Sequence, residues 1–248
     1  MAKKNPKNIE RRAVVEKMRQ DQARKERTRS LVILGGCVVL VVGLLAAALI
    51  PYLKDQHAKS KVAGTAVDKI GASTSAASCG SVIKKAPKGT EASGANGNHV
   101  NTGTKITYAD APPAFGQHWP NFLSGPEIRN FYSAQDRPEV ERLVHSLEHG
   151  HTMIWYDDTI KSGSQEYKDL EAIASKYAGT STYVNIVPWK TTDGAAFPSG
   201  KHVAMTHWTA NGNDQEGVWE YCGKPSGSAI SSFVKKYPNT DAPEAGSE

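Results

Sequence analysis

Apolar positions split this chain into two regimes. Residues 31–50 read LVILGGCVVLVVGLLAAALI, twenty apolar residues without a charge. A helix of that length crosses roughly 30 Å of hydrocarbon. A buried soluble helix would show some polar face. A signal peptide would have a shorter apolar core and an A-x-A site, which AAALIP does not supply. The stretch therefore reads as an uncleaved transmembrane helix over 31–53, with Pro51, Tyr52 and Lys54 at the far interface.

Beyond residue 78 the apolar spacing becomes periodic. Residues 136–156, DRPEVERLVHSLEHGHTMIWY, read as a helix running directly into a strand. Asp136 caps it, Glu139 closes a capping box and Pro138 sits in the first turn. Val140, Leu143, Val144 and Leu147 make one apolar face, and Gly150 is the left-handed stop.

Residues 164–177 give a second amphipathic helix closed by Gly179, and 228–237 a closing helix. Strands are predicted at 105–109, 182–189, 201–209 and 216–222. Residues 112–124 are irregular, with exposed-looking aromatics, and 126–133 make a helical turn. The order β–α–β–α–β–β–α predicts an α+β domain, one small mixed sheet with helices on one side.

The expected organisation is a basic tail at 1–30, the transmembrane helix at 31–53, a stalk at 54–78, the folded domain at 79–237 and a disordered acidic tail at 238–248. His57 lies in the stalk and carries no expected role.

Charge sharpens this division. The chain carries +5 overall, but residues 1–30 alone carry +7 and the remainder −2. Basic residues on one side of a span predict a cytoplasmic N-terminus and an extracytoplasmic C-terminal domain in the cell membrane. The tail then meets anionic membrane lipid and not nucleic acid.

Three cysteines fit that placement. Cys37 lies inside the span as a small apolar residue. Cys79 and Cys222 are the two outside it, where thiols pair, so a Cys79–Cys222 disulfide is predicted. Their other reading, as thiolate metal ligands, lacks a C-x-x-C pair.

Histidine carries the candidate chemistry. Seven of the eight histidines follow the stalk: His99, His118, His145, His149, His151, His202 and His207. His145 and His149 are one helical turn apart and share a face opposite the apolar stripe. One reading makes that face the wet side of the helix, with His149 favourably placed at its C-terminus. The other makes it half of a metal site. HSLEH also matches the H-x-x-E-H signature of inverted zinc proteases, in which the Glu is the general base. His151, His202 and His207 read as strand residues, each with one satisfied hydrogen bond.

Pro112-Pro113-x-x-Gly116-x-His118, then Val144-His145-x-Leu147-Glu148-His149-Gly150 and a strand ending in Tyr156, resembles the bacterial domain-of-unknown-function 3105 family. Its members, many of them actinobacterial, have a membrane anchor and an extracytoplasmic domain. The likeness covers roughly residues 95–237. The family reads P-P-T-S-G-x-H where this chain has PPAFGQH. The resemblance implies an architecture and a site, without a reaction. It places His118, and by position His99, beside His145 and His149.

Those four imidazoles, with Glu148 orienting one of them, would hold copper or zinc. Met153 or Met205 nearby would favour copper as a soft donor. Two other readings are open. A zinc hydrolase would use Glu148 as base and Glu216 or Glu220 as third ligand. A metal-free interaction module would meet an envelope protein through Phe115, Trp119 and Phe122. No phosphate-cradling loop, Ser-His-Asp order or C-x-x-C-H is present, which excludes nucleotide, acyl-transfer and c-haem chemistry.

Overall fold

The computed structural model describes residues 6–246, with side chains from Val14 to Lys54 and from Val62 onward. The first five residues of the basic tail, the last two of the acidic tail and the His57 side chain lie outside the described residues. The chain divides into two compact units, Met1–Val62 and Ala63–Glu248.

The first unit is helical. Helix α1 runs over Pro6–Gly64, 59 residues, through the basic tail and the apolar stretch without a break. Its leucines and valines, from Leu31 to Leu53, are more than 40 % exposed. Side chains of this kind need a covering medium, and α1 is long and apolar enough to cross a membrane.

The second unit begins at Ala63, sixteen residues before the predicted domain start. The expected linker is part of the fold. A single 3₁₀ turn at Val67–Lys69 leads Ile70 into the core, and the Gly227 amide donates to the Ile70 carbonyl at 2.9 Å. A Cβ on Gly227 would lie 1.9 Å from the Val67 carbonyl oxygen, so this approach requires glycine.

Five strands make one mixed sheet in the order β1-β5-β4-β2-β3. They are β1 (Ile83–Lys85), β2 (Thr152–Tyr156), β3 (Val184–Pro188), β4 (Val203–Asn211) and β5 (Asp214–Cys222). Only β2 and β3 are parallel, and α3 (Gln165–Ser175) connects them. Both are buried along their whole length, as their β-branched and aromatic composition suits. Helices α2 (Val140–Glu148) and α4 (Gly227–Lys236) complete the unit.

The helices lie on both faces, where the sequence pattern suggested one. Met153, Trp155, Ala204 and Trp208 pack under α2 with Leu143 and Leu147. Ile154, Met205 and Val218, from the opposite pleat, pack under α3 and α4 with Leu170, Ile173, Ile230 and Phe233. A Cys79–Cys222 disulfide ties the entry of the domain to the end of β5, as predicted.

Three local expectations change. Residues 105–109 are not a strand. The Ile106 amide donates to the buried Glu141 carboxylate at 3.1 Å, and the sheet edge beside β5 belongs to β1. Strand β1 is three exposed residues, Ile-Lys-Lys, too short to leave a periodic signature. Asp136 does not cap α2. It closes the preceding turn, accepting from the Ser133 amide at 2.7 Å, and the N-cap position falls to Glu139.

The largest change is at the C-terminus. Residues 238–246 are not a frayed tail. They carry a 3₁₀ turn at Asn239–Asp241 and dock on the domain. His207 Nε2 donates to Asp241 at 2.8 Å, and the Glu244 amide donates to the Glu148 carbonyl at 2.9 Å. The turn sits on Gly150, whose φ of 93° ends α2. The Gly150 amide donates to Leu147 and the His151 amide to Ser146, the paired bonds of a Schellman cap. A Cβ at Gly150 would meet the Asn239 carbonyl oxygen at 2.2 Å. Gly150→Ala should therefore cost at least about 2 kcal/mol, from backbone strain and the lost docking. Denaturant titration followed by tryptophan fluorescence checks this, and a loss under about 0.5 kcal/mol would refute it.

Candidate metal centre

Every residue of α2 except Arg142 is buried, including His145 and Glu148. The face expected to be wet is covered by irregular segments. Residues 98–123 lie over it, fastened where the Leu123 amide donates to Ser146 Oγ at 3.0 Å and Arg142 donates to the Phe122 carbonyl at 3.1 Å. His118 comes from this covering loop, held by a short parallel bridge to His99. The Val100 amide donates to the His118 carbonyl at 2.9 Å, and the His118 amide to the Asn98 carbonyl at 3.1 Å. His99 is exposed, whereas His118 and Glu148 are fully buried.

Ring centroids of His99, His118 and His145 lie 4.4–4.9 Å apart. One ligand atom from each, with a Glu148 oxygen, lies within 4.8 Å of all the others. The tautomers are fixed by the backbone. His118 Nδ1 is 2.8 Å from the Gly116 carbonyl and His145 Nδ1 is 2.7 Å from the Trp119 carbonyl. A carbonyl only accepts, so both Nδ1 atoms carry the proton, and a neutral ring then presents a bare lone pair at Nε2. Those two Nε2 atoms stand 2.9 Å and 3.8 Å from Glu148 Oε2.

His118 Nε2 and Glu148 Oε2 are both fully buried and lie in ion-pair contact at 2.9 Å. Two lone pairs in dry surroundings need a positive centre between them. A proton serves one such pair, whereas a metal ion serves all four donors. Tetrahedral zinc, with bonds of about 2.0–2.1 Å, spaces its ligand atoms by about 3.3 Å. The observed 2.9 Å and 3.8 Å lie on either side of that value.

The surroundings favour a neutral His145 and an ionised Glu148. Burial, reinforced by the His118 ring, pushes His145 from 6.5 to about 3. Burial pushes the Glu148 carboxyl up, but His118 and Ser93 more than offset this and hold it below its ordinary value. Asn98 Nδ2 donates to Glu148 Oε1 at 3.0 Å, turning the other oxygen toward the imidazoles.

His149 does not join this group. It stacks on Phe122 with centroids 4.1 Å apart, and its Nε2 lies 3.9 Å from Glu244 Oε2. Burial, then the charge of Glu148, raises Glu244 above its ordinary value.

The other sequence candidates separate from the site. Glu216 pairs with Lys84, and Glu220 lies on the face of the sheet that carries Val218 and Cys222. Neither reaches the histidines as a third zinc ligand. Met205 is on that same far face, and Met153 is enclosed in the α2 core, so neither of these thioethers enters the cluster. His151 bonds to Asn185 at 2.6 Å, His202 to Asp157 at 2.9 Å and His207 to Asp241 at 2.8 Å. Trp119 is 9 % exposed and donates to the Thr104 carbonyl at 2.8 Å, so it is not displayed outward. Asn98 and Glu244 were missed, because neither stands near a histidine motif in an element with a readable period.

The chain belongs to the family described as protein of unknown function (DUF3105), whose model matches residues 99–248. That match runs from His99, the exposed member of the cluster, through the C-terminal segment. A second model, described as an inhibitor of host cell division protein domain, is similar to residues 9–64, which lie within α1. No curated protein and no solved structure matches the chain.

Proposed function

We propose that this is a single-pass membrane protein whose extracytoplasmic domain binds a divalent transition metal through His99, His118, His145 and Glu148. The carrying observation is the convergence of four donors, since one ligand atom from each of His99, His118, His145 and Glu148 lies within 4.8 Å of the others. Three imidazoles and a carboxylate suit zinc or copper(II), and the absence of sulfur among the four donors disfavours copper(I). Glu148 serves as a ligand in this reading. The hydrolase alternative needs it free beside a metal-bound water, and Asn98 instead holds it toward the imidazoles.

Two independent features support the placement. The +7 charge of residues 1–30 precedes the apolar stretch, which favours a cytoplasmic N-terminus. The Cys79–Cys222 disulfide suits an oxidising compartment on the other side. The basic part of α1 would then lie against anionic lipid.

The test is the metal content of the full chain purified in detergent without a histidine tag. Near-stoichiometric zinc or copper is expected, and its loss in His118→Ala/His145→Ala. Metal-free wild type after exposure to both ions would sink the reading and leave an interaction domain. Asn98→Ala should weaken binding about tenfold to a hundredfold, because the carboxylate loses its orienting donor. Competition with a chromophoric chelator measures this, and unchanged affinity would remove Asn98 from the account.

A further inference from the structure

We propose that the site holds two cations, with Glu148 shared and the second ion taken by Glu148, His149 and Glu244. This rests on the metal-binding reading above. Among the described residues, three groups of ligand atoms have their members within 4.8 Å of one another; one contains the two disulfide cysteines, and the other two share Glu148. Of these two, the first is His99, His118, His145 and Glu148; the second is Glu148, His149 and Glu244. One ion cannot satisfy both, since His145 and His149 belong to different groups although their ring centroids are 4.9 Å apart. A carboxylate shared between two ions suits the separation of about 3.5–4 Å typical of two-metal sites.

The second group is built, not incidental. The His149 ring is 4 % exposed and clamped by Phe122. Glu148 is fully buried, with its Oε2 2.9 Å from His118 Nε2 and 3.8 Å from His145 Nε2. Glu244 arrives on the C-terminal segment, whose position is set at three points. These are the Asn239 carbonyl against Gly150, Asp241 on His207, and the Glu244 amide on the Glu148 carbonyl. The last bond attaches the residue that supplies one carboxylate to the residue that supplies the other. The Glu244 side chain is 41 % exposed, so the second ion would face water. The first ion would be the enclosed one, and exchange should be faster at the second.

The experiment is zinc stoichiometry of the detergent-solubilised full chain, after loading and dialysis, for wild type and Glu244→Gln. Gln keeps the size and leaves the backbone bond to Glu148 in place, and tryptophan fluorescence confirms the fold. Two zinc ions per wild-type chain and one per variant are expected. One ion in both would overturn the shared centre and leave the single-ion reading intact. Two ions in both would also overturn it, because the second would then lie elsewhere. No zinc in either would remove the metal reading itself, and this inference with it.

Discussion

Replacing Cys79 and Cys222 by serine lowers the stability of the sheet unit by about 5 kcal/mol. The bond closes a separation of 143 residues, and the loop-entropy model assigns about that much to a closure of this length. The effect is large against a total of roughly 5–15 kcal/mol for a typical domain. It falls on one place in the fold. The bond is flanked by the Gly80 amide on the Tyr221 carbonyl at 2.8 Å and the Gly223 amide on the Ala77 carbonyl at 2.7 Å. It therefore anchors the chain entry, and with it β1, to the end of β5. All five tryptophans lie between residues 119 and 219, so their fluorescence follows this unit and not α1. Denaturant titration of wild type and double variant gives the difference directly. A loss under about 1 kcal/mol would show that hydrogen bonding and packing hold the entry without the disulfide.

The second large effect is acid destabilisation of the metal-free protein. His145 titrates near 6.5 when unfolded and is pushed by burial to about 3 when folded. Between those values the unfolded chain binds a proton that the folded chain refuses. The folded state is therefore fully favoured above about pH 6.5 and loses stability as the pH falls toward 3. Going from pH 7.5 to 4.5 should cost about 2–3 kcal/mol from this residue. Glu148, held below its ordinary value, acts in the same direction, with its share lost as the pH falls through its folded value. A metal at the proposed site would add to the effect, since protons compete for the same nitrogen lone pairs. Stability measured in excess chelator across this range isolates the protein's own part. His145→Gln should flatten the profile by most of that amount, and an equally steep profile in the variant would contradict the assignment.

Where periodicity was strong, the sequence was sufficient. Val140, Leu143, Val144 and Leu147 define α2, and Gly150 ends it in a left-handed turn. Strands β3, β4 and β5 follow their runs of β-branched and aromatic residues. The spacing of His145 and His149 pointed to α2, and the structure places the two rings in different groups of possible ligands. The cluster draws His118 and His99 from a loop without a period, and it replaces His149 with Glu148. Burial of the helix's polar side could not be read from a wheel either. A wheel describes one helix, whereas the cover comes from residues 98–123 and 238–246, distant in sequence and irregular in conformation. The acidic composition of the C-terminal segment suggested solvation; His207 and Gly150, each more than thirty residues earlier, are what receive it.

The two margins of the sheet are closed by different means. On one side, β1 presents Lys84 and Lys85, paired to Glu216 and Asp110. On the other, β3 meets residues 130–132, where the Ile186 amide donates to Asn130 and the Tyr132 amide donates to the Ile186 carbonyl, both at 2.9 Å. An open strand margin templates pairing between copies, and a cationic or occupied one does not. Both margins therefore carry features that disfavour edge-to-edge pairing between copies of this domain. Replacing both lysines with valine would remove the charges that guard the β1 margin.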